Sequence, residues 1–209
     1  MDDASLTQTI ALVQAAQGGD RQALERLLRR YQERVRRIVR VRLGPTLRLQ
    51  LESGDILQQV LLDAFRSLDR YEARDEAGFL AWLASIAEHR IRDAVDYHGS
   101  QKRDAARARP LEASEENEAP SVSSLVGGGP TPSERASRAE QVDRLEACLA
   151  ALPEADREFV VLRDYIGLSW SEVAERVGSP SADAARMRHA AVLIDLGRRM
   201  REPPGPPTG

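Results

Sequence analysis

The chain is poor in the residues that build most chemical sites. It has one cysteine, three histidines, two tryptophans, four tyrosines and three phenylalanines in 209 residues. A single cysteine excludes an intrachain disulfide and any multi-thiolate zinc site. Cys148 falls between Leu145 and Leu149 in a helical pattern, where a small buried side chain is expected, in keeping with a reducing compartment. The histidines, His89, His98 and His189, are scattered, and no glycine-rich phosphate loop follows a strand. No enzyme, metal or cofactor is therefore expected. No apolar run of about eighteen residues exists, and no basic-then-apolar segment opens the chain, so neither a membrane span nor a secretion signal is expected and the location reads as cytoplasmic. Strand-type alternation is missing as well. The remaining pattern is helical, with cores of leucine, valine and alanine in place of rings, and the expected fold class is all-α.

Charge is present in quantity but unevenly placed. The formal net charge is −3, yet residues 21–48 hold ten arginines against Glu25 and Glu33, whereas residues 110–134 hold five glutamates and no basic residue. A first helix is predicted over Leu6–Gln17, ended by Gly18-Gly19. Asp20 then caps a long helix with an apolar stripe of Leu24, Leu27, Leu28, Tyr31, Val35, Ile38 and Val39. Its opposite face, Arg26, Arg29, Arg30, Arg36, Arg37 and Arg40, reads as a solvated surface. A third helix is predicted from about Asp55 to Tyr71 on Leu57, Leu61, Ala64, Phe65 and Leu68. A fourth is predicted from about Glu76 to Tyr97 on Phe79, Trp82, Leu83, Ile86 and Ala87. Gly99-Ser100 is read as punctuation after it. These four helices make a first domain, residues 1–104. Residues 105–139 are rich in Glu, Ser, Pro and Gly and carry too few large apolar side chains to bury a core, so they read as a flexible acidic linker. Residues 140–201 form a second helical domain, and 202–209, which hold Pro203-Pro204-Gly205-Pro206-Pro207, a disordered tail.

The second domain contains the most informative stretch, Gly167 to Gly178. Ser169 followed three residues later by Glu172 has the spacing of a reciprocal capping box. Val173 and Val177 share one face, Ala174 allows close approach of a second helix, and Gly178 suits the left-handed conformation of a sharp helix exit. Ser179 or Ser181 caps the next helix, with Pro180 near its start, and Arg186, Arg188, His189, Arg198 and Arg199 follow along it. Two helices joined in this way form a helix-turn-helix, whose second helix fits a major groove.

Two helical domains, the second with a helix-turn-helix, resemble the extracytoplasmic-function (ECF) sigma factors, small promoter-recognition subunits of bacterial RNA polymerase in the sigma-70 superfamily. The stretch Asp55-Ile56-Leu57-Gln58-Gln59-Val60-Leu61-Leu62-Asp63-Ala64-Phe65 is similar to region 2.2, with Gln59 where glutamate is usual. Phe79, Trp82-Leu83, Ile86-Ala87 and Asp93 are similar to the signature of regions 2.3 and 2.4, with His89 where asparagine is common. Leu152-Pro153-Glu154 through the helix-turn-helix is similar to region 4, with Ala190-Ala191-Val192 where a second basic cluster is usual.

The resemblance implies that Asp55, Gln58, Gln59 and Leu62, which share a helix face on spacing alone, dock on core polymerase at its clamp, while region 4 engages the flap. It implies that the loop 69–77 holds an extruded base of the minus-10 element, with Tyr71 stacking on it and Arg90, Arg92, Lys102 and Arg103 following the backbone. Phe79 and Trp82 read as packing residues. Ser181, Asp183, Arg186 and His189 would face the minus-35 groove, and Arg188 and Arg198 its phosphates. Promoter DNA and an anti-sigma factor are the further partners implied. Two other classes fit part of the pattern: a helix-turn-helix regulator acting without polymerase, and a degenerate sigma-like adaptor that binds polymerase or an anti-sigma protein without reading promoters.

Overall fold

The computed structural model describes residues 3–48, 51–72, 75–105 and 132–201. Every regular element among them is helical: α1 Asp3–Gln17, α2 Arg21–Arg48, α3 Ser53–Ser67, a single 3-10 turn Leu68–Arg70, α4 Glu76–Ala105, α5 Pro132–Ala150, α6 Glu154–Val160 continued by a π-helical segment Val161–Ile166, α7 Trp170–Val177 and α8 Ala182–Arg201. No described helix is long and apolar enough to cross a membrane. The acidic stretch 106–131 and the proline-rich tail lie outside the described residues. α5 begins at Pro132, inside the span read from composition as linker; a proline at a first helical position lacks only an N–H that has no partner there anyway.

α2 is the axis of the first domain. Asp20 caps it, its carboxylate accepting from the backbone amides of Gln22 and Ala23 at 2.8 and 3.0 Å. Leu27, Tyr31, Val35, Ile38 and Val39 are fully buried, while Leu24 and Leu28 are half-buried. Tyr31 is the largest of these, and its hydroxyl shares a hydrogen bond with that of Thr9 on α1 at 2.8 Å, so its polar end is satisfied inside the core. The helix bends at Gly44, whose φ of 64° and ψ of 172° leave the helical region just before Pro45, a place where the α conformation is disfavoured.

Two predicted elements differ in detail. On α3 the buried side chains are Ile56, Leu57, Val60 and Ala64, so the apolar arc is rotated toward Ile56 and Val60; Phe65, read as core, lies on its outer edge at 56% exposure. α4 continues through Gly99-Ser100 to Ala105. A glycine inside a helix costs only about 1 kcal/mol, which a helix of this length absorbs.

α5 to α8 form the second domain. Gly167, at φ 91°, closes the π-helical segment, and the amides of Gly167 and Leu168 both donate to the carbonyl of Leu162 at 3.1 and 3.0 Å. α7 and α8 cross over Val173, Ala174, Ala185 and Val192. The two domains pack against each other, α5 lying along α2, and their buried apolar side chains join in one cluster.

Candidate polymerase and nucleic-acid interfaces

Three surfaces carry the residues singled out in the sequence. The first is the outer face of α3, where Asp55, Gln58, Gln59 and Leu62 are all exposed, Leu62 at 47%. Phe65 extends this row by one turn. The face therefore offers polar groups at its N-terminal end and two large apolar side chains at the other. Leu62 alone reads as an ordinary exposed leucine; Leu62 beside Phe65 is an apolar patch.

The second surface surrounds the corner before α4. Asp75 caps that helix, its carboxylate accepting from the amide of Gly78. Upstream, the side-chain amide of Gln17 donates to the carbonyls of Leu68 and Tyr71 at 2.9 and 2.8 Å and pins the corner to α1. Tyr71 is half-buried and stacks on Trp82, ring centres 4.7 Å apart and planes 28° apart, with its edge on Phe79 at 5.4 Å. Phe79 in turn meets Tyr31 edge to face at 4.9 Å. Tyr71 thus already stacks on a protein ring. Phe79 is buried and Trp82 half-buried, as read from their spacing, whereas Tyr97 is 61% exposed. Arg90 is held by Asp63 of α3, with Asp93 at 3.5 Å, and exposed Arg92 pairs with Glu88 at 2.9 Å. The side chains of Lys102 and Arg103 lie outside the described residues.

The third surface is α8 and the turn before it. α7 has the capping box read from the sequence: the Ser169 hydroxyl accepts from the amide of Glu172, and the Glu172 carboxylate accepts from the amide of Ser169 at 2.8 Å. The Ser169 hydroxyl beside Glu172 holds its carboxyl below the usual glutamate range. Gly178 is left-handed at φ 66°. Ser181 caps α8, accepting from the amide of Ala184 at 3.1 Å. Asp183 and Arg186 are exposed and pair with each other at 3.2 Å, and Arg198 pairs with Asp195 at 2.8 Å. Arg188 reaches back to α6, where Asp156 takes both its Nε and Nη2 at 2.7 Å.

His189 departs from its expected place near the groove. It is 7% exposed, hydrogen-bonded to Asp164 at 2.7 Å and set edge-on to Trp170 at 5.1 Å, so it packs α8 against the rest of the domain. Buried positions on α8 are Ala185, His189, Val192 and Leu196, which orients the helix and leaves Arg186, Met187, Ala190, Ala191 and Ile194 outward. Met187 and Ile194 are 72% and 71% exposed. Neither had been singled out, although their seven-residue spacing, with two alanines between, was legible as one helix face.

Among the described residues no cluster of three or more His, Cys, Asp or Glu side chains could hold a metal ion. A helical body with an exposed polar-apolar face on α3, an aromatic corner beneath α4 and a capped helix-turn-helix defines the architecture of a sigma-70 protein, and family models agree: Sigma-70 region 2 matches residues 27–101, and Sigma-70, region 4 matches residues 143–193. The ECF RNA polymerase sigma factor SigD of Mycobacterium tuberculosis (strain ATCC 25618 / H37Rv) is 36% identical over 182 residues, covering 87% of this chain and 79% of that protein. The ECF RNA polymerase sigma-E factor of Escherichia coli (strain K12) is 29% identical over 190 residues, covering 88% and 91%. Among solved structures, CnrH in complex with the cytosolic domain of CnrY has the same fold, with a TM-score of 0.55, 22% identity and coverage of 91% of this chain and 96% of that one. The chain belongs to the ECF RNA polymerase sigma factors, which bind core polymerase and direct it to promoters.

Proposed function

We propose that this sigma factor divides its work as follows. Residues 1–104 dock on the clamp of core polymerase through Asp55, Gln58, Gln59 and Leu62, joined by Phe65, and take the opened minus-10 element at the corner of Tyr71 and Trp82. Residues 106–131 join this body to the helices α5 to α8, which meet the flap and read the minus-35 element as duplex. The factor is non-catalytic and cytoplasmic, and an anti-sigma protein is its third partner. The observation that carries the docking assignment is the exposed row on α3 that ends in Leu62 and Phe65 at 47% and 56% exposure, a patch that gains by being covered.

On α8, Arg186 stands in the second turn, and among the described residues its guanidinium pairs with the exposed Asp183. Exchange of Asp183 for a base edge or phosphate needs no buried bond to break. Met187 adds an apolar side chain of the kind that meets a thymine methyl. Arg198 serves a phosphate by the same exchange, Arg188 does so on leaving its two-bond pair with the largely buried Asp156 of α6, and Arg90 and Arg92 contact phosphates along the single strand.

Run-off transcription on a genomic fragment library, with purified bacterial core polymerase and with or without this protein, tests the reading. New start sites that share two upstream elements are expected. Asp55→Ala with Gln58→Ala should abolish them through loss of core binding, and Arg186→Ala should keep core binding but lower promoter use about tenfold or more, the value of one good base contact. Normal core affinity in the double variant would remove α3 from the docking surface.

A further inference from the structure

α8 turns an apolar face to solvent that the described residues leave uncovered. Met187 and Ile194, at 72% and 71%, are the two most exposed large apolar side chains among those residues. They stand just under two helical turns apart, so both project on one side, with Ala190 and Ala191 exposed between them. A helix that enters a groove by its N-terminal turns has a use for Met187 and leaves Ile194 outside. The buried side of α8, Ala185, His189, Val192 and Leu196, fixes this face outward.

The order of residues along the face identifies what fits it. Met187 and Ile194 lie equally far on either side of the midpoint between Ala190 and Ala191, and so do Asp183 and Arg198. A second α8 laid antiparallel across this midpoint, related by a twofold axis, therefore sets Met187 against Ile194 of the other copy and the alanines against their own counterparts. Alanine at the crossing lets two helix axes approach to about 8 Å, the short end of the packing range, with the larger side chains filling the space on either side. The charges agree with the same register. Asp183, 84% exposed, meets Arg198 of the other copy, 66% exposed, with exposed Arg201 three residues farther along. Leu193, 42% exposed, comes beneath the stem of Arg186. Within one chain Asp183 pairs with Arg186 at 3.2 Å and Arg198 with Asp195 at 2.8 Å, both surface pairs that exchange at little cost. A parallel pairing has no such match, because Asp183 would face its own copy.

We infer that the chain self-associates through an antiparallel pair of α8 helices, Met187 packed on Ile194 about a twofold at Ala190 and Ala191, and that the pair hides Arg186. The association rests on the geometry of α8; its consequence, a dimer that does not read the minus-35 element, rests on the sigma-factor reading. A single pair of helices buries less than the roughly 1,200 Å² at which stable interfaces begin, so the dimer is weak and exchanges with monomer at micromolar concentration. DNA and a second copy then compete for one face, and each draws the population toward the state it binds.

Sedimentation velocity of the full chain over a concentration series tests the pairing. Wild type is expected to shift from monomer toward dimer through the micromolar range, and Ile194→Asp to weaken the association about tenfold or more. Asp183→Arg sets arginine against arginine, and Arg198→Asp with Arg201→Asp sets aspartate against aspartate, so each variant alone is expected to be monomeric. Their equimolar mixture regains the dimer, because both ends of a mixed antiparallel pair are then complementary, and only folded chains show that recovery. A wild type that is monomeric at every concentration, Ile194→Asp with unchanged association, or a mixture no better than its components overturns the pairing. For the consequence, Ala190→Cys brings two thiols together at the twofold, and oxidation is expected to link the chains, as half-buried Cys148 of the wild type does not. The linked form should lose run-off transcription with core polymerase and regain it on reduction. Absence of the link overturns the register, and a linked dimer as active as its reduced form overturns the occlusion. Inactivity of every form, wild type included, would overturn the sigma-factor reading and the occlusion with it, while sedimentation still decides the pairing.

Discussion

α2 and α8 each carry a row of arginines, and the two rows end in opposite situations. On α2 the C-terminal members reach across to the other domain: Arg40, Arg42 and Arg48 have side chains 32%, 10% and 21% exposed and end on Glu146 and Glu158. On α8, Arg186 and Arg198 end on carboxylates of the same helix and remain 64% and 66% exposed, while Arg188, between them, is held by Asp156 of α6, whose side chain is 14% exposed. An arginine row therefore does not declare its role. The position of the nearest carboxylate decides it, since a surface Asp one turn away leaves the guanidinium ready to exchange for a phosphate, whereas a buried Glu from another element fixes it as structure.

The largest effect that separates these situations lies within α2 itself. Arg42→Ala leaves Glu158 without its guanidinium in a half-buried site, and removal of one partner from such a pair costs about 3 kcal/mol. Arg36→Ala on the same helix breaks only a 3.5 Å pair with Glu33 between side chains 46% and 59% exposed, and should cost less than about 0.5 kcal/mol. Urea unfolding of the two variants measures the contrast. Equal losses would mean that the burial of Arg42 carries no energetic weight.

The same contrast falls between neighbours on α8. His189→Ala removes a buried ring, its bond to Asp164 and its edge contact with Trp170, and should destabilise the second domain by about 2 kcal/mol. Thermal unfolding with Arg186→Ala as the control should show no comparable loss there. A variant of His189 with wild-type stability would return that side chain to the surface where the sequence alone had put it.

The sequence made the helices and their caps legible because those signals are local. The stripe from Leu27 to Val39, the Asp20 cap and the Ser169–Glu172 box all lie within one or two turns, and each has the expected place. Periodicity also placed Asp55, Gln58, Gln59 and Leu62 on one face. It could not fix the centre of the buried arc, which is why Phe65 was read as core and is exposed. Nor could it find partners far along the chain. Glu146 lies 106 residues from Arg40, so Arg40 read as solvated along with Arg26, Arg29, Arg36 and Arg37, which are exposed, and His189 read as a groove residue because Asp164 lies 25 residues before it. Helical spacing says which residues share a face; what that face meets is set by tertiary packing.

A smaller effect belongs to the joint between α7 and the segment before it, and it carries a pH signature of its own. Ser169→Ala removes the hydroxyl that caps α7 and should cost about 1 kcal/mol. In the wild type, the same hydroxyl and the Ser169 amide stabilise the ionised form of Glu172, lowering its carboxyl from the usual value of 4.5. A carboxyl lowered in the folded state contributes stability that is whole above its unfolded value and is lost as pH falls through the folded one. The difference in stability between wild type and Ser169→Ala should therefore be constant from neutral pH down to about 4.5 and shrink below it. Unfolding free energies measured across that range decide the matter: a gap that stays the same at acid pH would mean that the hydroxyl acts through the amide of Glu172 alone, and that the carboxylate contributes nothing to holding the helix-turn-helix at its entry.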